Sequence, residues 1–160
     1  MGSSHRGWIA RLMAEHFGSG RVVTRGRMFE TSVLPGLVAL IDSAPSGFLV
    51  YALDGPECEI VALVSVLRRR GVARSLVEAL GALVSASNAT RLVLVTTNDN
   101  LGAQAFYSAM GFRHVVTFVG AVAESRRLKP EIPMLGEGDV PIEDELEYEL
   151  ELARLTSVPS

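Results

Sequence analysis

One stretch constrains this chain more than any other. From Val64 to Val77 it reads Val-Ser-Val-Leu-Arg-Arg-Arg-Gly-Val-Ala-Arg-Ser-Leu-Val. On the N-terminal side, Glu59–Val66 has the apolar, β-branched composition of a strand. On the C-terminal side, Val72, Leu76, Leu80, Leu83 and Val84 recur at helical spacing and mark a helix from Val72 to Ala86. A strand therefore hands over to a helix through a basic turn that contains Gly71. Leu92–Thr96 then reads as a short buried strand. Strand, helix and strand imply a parallel pair joined by a right-handed crossover.

Such a handover has a chemical consequence. The first turn of a helix presents unpaired N–H groups and a partial positive charge, so an anion sits there readily. Gly71 lets the backbone approach a phosphate with no Cβ in the way, and Ala73 is nearly as small. Arg68, Arg69, Arg70 and Arg74 add charge-assisted donors. The alternative is a basic loop that only caps its helix. A P-loop is excluded, because no Gly-Lys-Ser/Thr follows the turn. A dinucleotide fingerprint is excluded by the missing three-glycine spacing.

The flanking segments supply the rest of one domain. Trp8, Ile9, Leu12, Met13 and Phe17 lie on one helical face, and Gly18 is the stop. Arg21–Arg25 is a short extended stretch. Leu37–Ile41, Phe48–Leu53 and Glu59–Val66 are strands of an antiparallel meander, separated by turns at Asp42–Gly47 and Asp54–Pro56. Leu101, Ala105, Phe106 and Ala109 mark a second helix, ended by Gly111. Val115–Val119 reads as a strand, and Ala121–Leu128 as a helical turn or two before Pro130. Glu145–Leu152 alternates Glu with Leu or Tyr. Period two favours a strand with Leu146, Tyr148, Leu150 and Leu152 inward; the helix propensity of Glu and Leu argues the other way. The strand is preferred. The 160 residues form a single domain, with 1–6 a loose leader and 154–160 a loose tail.

Charge narrows the function. With 15 basic and 18 acidic side chains the net charge is −3, which excludes a general nucleic-acid binder. Glu137, Asp139, Glu143, Asp144, Glu145, Glu147, Glu149 and Glu151 load the C-terminal end. That run is either a solvated surface or one that attracts a cation. Cys58 is the single cysteine, so an intrachain disulfide and a cysteine zinc cluster are excluded. It reads as a small buried residue, not an acyl carrier, since nothing pairs with it as a base. His5, His16 and His114 lack ligand spacing, and no metal is expected. No apolar run is long enough to span a bilayer and no secretory leader is present, so a cytoplasmic protein with no membrane partner is expected.

Two motifs then stand in order. Arg68-x-x-Gly71-x-Ala73 is followed by Asn100-x-x-Ala103-x-x-Phe106-Tyr107-x-x-x-Gly111-Phe112, with a helix and a strand between them. They resemble the two signatures of GNAT-family N-acetyltransferases, Arg/Gln-x-x-Gly-x-Gly/Ala and Asn-x-x-Ala-x-x-x-Tyr-x-x-x-Gly-Phe. The likeness runs from Leu37 to Phe112. Three features depart from that pattern: Ala73 replaces the commoner glycine, no proline precedes the basic turn, and the first strand has almost no room.

The resemblance implies an α/β fold with a central mixed, splayed sheet of about six or seven strands flanked by helices. It implies acetyl-CoA as acyl donor, without a metal. The pantetheine arm would lie in the splay along Leu63, Val64, Ser65 and Val66. The pyrophosphate would meet Arg68, Arg69, Arg70, Gly71, Val72, Ala73, Arg74 and Ser75. Asn100, Ala103 and Phe106 would face the cofactor, Phe106 also reading as core with Phe112. Tyr107 would lie near the sulfur as general acid. Glu59 is the candidate general base, with Glu57 on the same face by period-two spacing; the alternative is that both are edge carboxylates at a turn.

The expected reaction is direct transfer of an acetyl group to a primary amine of an unidentified small molecule or protein, with the acidic strand and the 121–141 loop shaping the acceptor site. A homodimer is compatible with this reading. The alternative is a catalytically silent CoA-binding sensor or subunit.

Overall fold

The computed structural model describes residues 5–67 and 71–156. Helix α1 (Arg6–Phe17) turns Ile9, Leu12 and Met13 inward. Strands β1 (Arg21–Thr24) and β2 (Arg27–Glu30) form a hairpin closed by Arg25-Gly26, both left-handed at φ 52° and 74°. That two-residue turn matches the twist of its strands. The meander follows as β3 (Gly36–Ile41), β4 (Ala44–Asp54) and β5 (Glu57–Ser65). Next come α2 (Val72–Val84), β6 (Arg91–Thr97), α3 (Leu101–Ala109), β7 (Arg113–Phe118), α4 (Ala121–Leu128), β8 (Glu145–Glu151) and α5 (Leu152–Thr156).

The main sheet has six strands in the order β3-β4-β5-β6-β8-β7. β5 and β6 are parallel, and the other neighbours are antiparallel. The expected mixed sheet and crossover are therefore present. Each face has its own core. On one, Leu49, Leu76, Val77, Leu80, Leu92 and Leu150 pack α2 onto the strands, with Tyr107 and Phe112 from the α3 segment. On the other, Ile9, Leu12 and Met13 of α1 and Val22 and Phe29 of the hairpin meet Phe48, Val50 and Val64. Trp8 stands edge-on to Phe48 at 5.8 Å. Burying a Phe or Leu fully, as at Phe48 and Leu80, contributes about 1.5–3 kcal/mol each.

Four expectations change. The stretch at 21–25 is half of a hairpin whose second strand was not anticipated. The turn read as Asp42–Gly47 shrinks to Asp42-Ser43, both left-handed, and β4 begins at Ala44. The chain ends are more ordered than expected. α1 begins at Arg6, and α5 continues past Ala153, where Leu152 and Leu155 pack beside Gly81 of α2. The acidic run is no solvated surface along β8. That strand lies between β6 and β7, so both its edges are paired, and of its four glutamates only Glu151 is exposed. Tyr148 and Leu150 enter the α2 core, while Glu145, 3% exposed, lies under the hairpin and α4.

Candidate active site

The parallel pair opens after three rungs. Glu57↔Arg91, Cys58↔Leu92 and Glu59↔Val93 are paired; beyond them β5 follows β4 to Ser65 while β6 follows β8 to Thr97. From Ile60 onward, the β5 edge that faces β6 has no ladder partner among the described residues. A bulge sharpens this divergence. Tyr51 pairs with Ile60 and Val50 with Ala62, leaving Val61 extra. One extra residue bends a strand and raises its twist, and here it turns both Val61 and Ala62 toward the α1 core.

The α2 start lies beyond the C-terminal end of β5. Gly71 precedes it at φ 70° and ψ 13°, with no side-chain cap. A residue with a Cβ is strained at that φ. A Cβ added there would meet nothing within 4 Å, so conformation, not crowding, selects glycine. The first intrahelical bond runs from the Ser75 amide to the Gly71 carbonyl, 2.9 Å. The amides of Val72, Ala73 and Arg74 precede it and have no intrahelical carbonyl to reach. These three residues, with Gly71, Ser65, Leu67 and Phe106, line a cavity of about 320 Å³. Gly47 of β4 sets the depth of α2. A Cβ there would lie 2.6 Å from Val72 Cγ1 and 2.7 Å from the Val64 carbonyl oxygen.

The cavity thus gathers Ser65, Gly71, Val72, Ala73, Arg74 and Phe106 from the residues singled out in the sequence. Leu63 packs on the α2 face and Val64 on the α1 face, while Val66 is exposed. Ser75 is exposed, with its amide used inside the helix. Arg68, Arg69 and Arg70 lie outside the described residues. A larger cavity, about 620 Å³, lies between α1 and residues 31–35. Apolar residues such as Ile9, Met13 and Leu34 dominate its wall, and it touches neither motif.

The second motif is explained position by position. Asn100 caps α3, its Oδ1 accepting from the Ala103 amide at 3.1 Å. Ala103 and Phe106 pack on the core. Tyr107 is 8% exposed, with Phe106 and Phe112 edge-on at 5.1 and 5.4 Å. Burial pushes its phenol above the ordinary tyrosine range, so it carries its proton throughout the neutral range. The Phe112 amide donates back to the Tyr107 carbonyl at 3.0 Å, closing the segment.

The opposite face holds a charge network. Glu59, the last β5 residue paired to β6, has a side chain 2% exposed. Its Oε1 meets Arg25 Nη2 at 2.6 Å, and its Oε2 accepts from Thr24 Oγ1 at 2.6 Å. The same guanidinium reaches Glu57 at 2.8 and 3.1 Å and Glu147 at 3.1 Å. Arg25 holds the Glu57 carboxyl below the usual carboxylate range, against burial. The bond to Glu57 leads in raising the guanidinium further, with Glu59 adding to it. Cys58 points the other way, fully buried. Burial first, then Glu57 and Glu59, push its thiol up to about 12, so a thiolate nucleophile is not available near neutrality. Among the described residues, no group of three His, Cys, Asp or Glu side chains is arranged to hold a metal.

Sequence reasoning missed Arg25. The available signal was Arg25-Gly26 between Val22-Val23-Thr24 and Met28-Phe29, a two-residue turn between apolar runs. Its partners Glu57, Glu59 and Glu147 are remote in sequence, and only the tertiary fold brings them to it.

Comparisons with known proteins agree with this geometry. The model of the acetyltransferase (GNAT) family matches residues 9–112. An uncharacterized protein of Bacillus subtilis strain 168, YdhI, is 34% identical over 139 residues, covering 86% of this chain and 87% of its own. Among solved structures, a Bacillus subtilis acetyltransferase in complex with CoA superposes with a TM-score of 0.62 at 18% identity, over 72% of this chain and 75% of that one. The ribosomal-protein-S18-alanine N-acetyltransferase of Escherichia coli gives 0.65 at 13% identity, over 95% and 90%.

Proposed function

The chain belongs to the acetyltransferase (GNAT) family, and on that premise we propose that it transfers the acetyl group of acetyl-CoA directly to a primary amine of a small molecule or protein. One observation carries the reading. The α2 start, whose first three amides have no intrahelical carbonyl to reach, lines a cavity beside two strands that pair over three rungs and then part. Diphosphate oxygens suit those amides and the local dipole. A pantetheine arm suits the free β5 edge between Ile60 and Ser65, whose backbone groups otherwise need partners.

The chemistry then assigns roles. A lysine-like amine is neutral to only about one part in 2,500 at pH 7, a penalty of about 4–5 kcal/mol. Glu59 removes the ammonium proton, directly or through a water; its carboxylate keeps lone pairs beyond those given to Arg25 and Thr24. The amine lone pair forms a bond to the thioester carbon, and backbone N–H groups of the free β5 edge receive the negative charge on its oxygen. Collapse restores the carbonyl and breaks the C–S bond, and the nitrogen, cationic since the attack, releases its extra proton to solvent to leave the neutral amide. Tyr107 gives its proton to the departing thiolate and regains one from solvent. Direct transfer fits the state of Cys58, whose thiol stays protonated.

Thiol release from acetyl-CoA, measured over a panel of polyamines, aminoglycosides, arylalkylamines and peptide α-amines, tests the reading. At least one amine should accelerate it and appear as an N-acetyl product. The engaged oxygens of Glu59 and the buried ring of Tyr107 favour a second reading, a CoA-binding sensor or subunit. Acetyl-CoA binding with no acceleration by any amine would select that reading. No helix among the described residues is long and apolar enough to cross a membrane; a cytoplasmic site of action completes the proposal.

A further inference from the structure

The hairpin tip carries a residue that its own turn disfavours. Arg25 is left-handed at φ 52°, at a position where turns of this type prefer Asn, Asp or Gly. A strained residue that persists is held by its surroundings. Here its backbone amide donates to Glu145 Oε1 at 2.8 Å, and Glu145 in turn accepts from Ser125 of α4 at 2.5 Å. The tip is thus pinned, and its guanidinium is delivered over the end of the paired β5–β6 segment.

What it meets there is a cluster of carboxylates. Glu59 is buried, and Glu57 and Glu147 converge on the same guanidinium. Burial and neighbouring carboxylates both drive a carboxyl toward its protonated form, whereas a paired cation opposes them. The charged and titratable groups around Glu59 are Glu57 on β5, Arg91 on β6 at 3.6 Å from Glu57, Glu145 and Glu147 on β8, and Arg25 itself.

We propose that Arg25 is a positioning residue for acetyl transfer: from the hairpin tip it fixes the Glu59 side chain at the edge of the opening, beside Glu57 and Glu147. The proposal rests on Glu59 as general base. Lysine replaces this function only in part, because it keeps the charge and loses the fork that spans three carboxylates.

The test compares Arg25→Met, Glu59→Gln and the double variant. Thiol release from acetyl-CoA is followed across pH with water alone and with spermidine added, and acetyl-CoA affinity is measured alongside. Each single change should slow release about 10-fold or more at neutral pH. Arg25→Met should also move the acid limb of the rate profile to higher pH, since the three carboxylates that Arg25 pairs lose their shared cation. The double variant should be no slower than Glu59→Gln, because Arg25 acts through Glu59. Acetyl-CoA affinity should stay near wild type in all three.

A Glu59→Gln enzyme with unchanged rate and profile overturns the base reading, and the Arg25 proposal with it. A slowed Glu59→Gln enzyme beside an Arg25→Met profile that has not moved, or losses that multiply in the double, overturns the Arg25 proposal alone. Should Arg25→Met fail to fold, Arg25→Lys carries the test. Its acid limb should move the same way by a smaller step, and an unmoved limb overturns the proposal.

Discussion

Two helices in this chain begin right after the two strands of the parallel pair, and they begin differently. α3 starts with a side-chain cap, Asn100 Oδ1 taking the Ala103 amide. α2 starts with Gly71, which has no side chain to offer, and its first residues line a cavity. A capped start satisfies its own donors. An uncapped start leaves a positive dipole end and free N–H groups for something from outside. On the proposed reading, the contrast puts the anion site at the start of α2 and leaves α3 to carry Tyr107.

An anion built into the α2 start tests that contrast most severely. Ala73→Glu places a carboxylate in the first helical turn, where negative charge favours the helix. Thermal stability should hold or rise, while acetyl-CoA affinity falls about 100-fold through like-charge repulsion. Unchanged affinity would remove the site from this helix.

Gly47→Ala tests the seat of α2. Its Cβ would press on Val72 and the Val64 carbonyl, so unfolding free energy should fall by about 1–3 kcal/mol. Weaker acetyl-CoA binding should accompany the loss; binding at full strength would mean that the depth of α2 does not matter.

On the α3 side, Tyr107→Phe keeps the ring packing with Phe106 and Phe112 and removes the acid. Cofactor binding should survive, and turnover should fall about tenfold or more; undiminished turnover would leave the thiolate to be protonated by water. The smallest effect belongs to the cap. Asn100→Ala should cost about 1 kcal/mol of stability in chemical unfolding. If acetyl-CoA affinity also fell steeply, Asn100 would serve both helix and cofactor.

Much of this contrast was legible in the sequence because it is local. The change from strand to helical period across Val64–Val77 announced the handover, and Gly71 announced the turn. Period two in Glu145–Leu152 correctly put Tyr148 and Leu150 inside. What escaped was the far side of the same strands. Glu145 and Glu147 looked like solvent-facing residues, because alternation tells which residues share a face but not what covers that face. The cover comes from a hairpin 120 residues away, with Arg25 bonded to Glu145. Asn100 was expected to face the cofactor; the structure gives it a cap's work, which its place three residues before Ala103 could have suggested.

The account stands or falls on where the cofactor's phosphates bind. Amide resonances followed while acetyl-CoA is titrated into the labelled protein report this directly. The backbone signals of Val72, Ala73 and Arg74 should move farthest, and that of Ala103, already bonded to Asn100, should move little. If acetyl-CoA binds while the three α2 amides stay where they were, the diphosphate is held elsewhere and the central assignment is wrong.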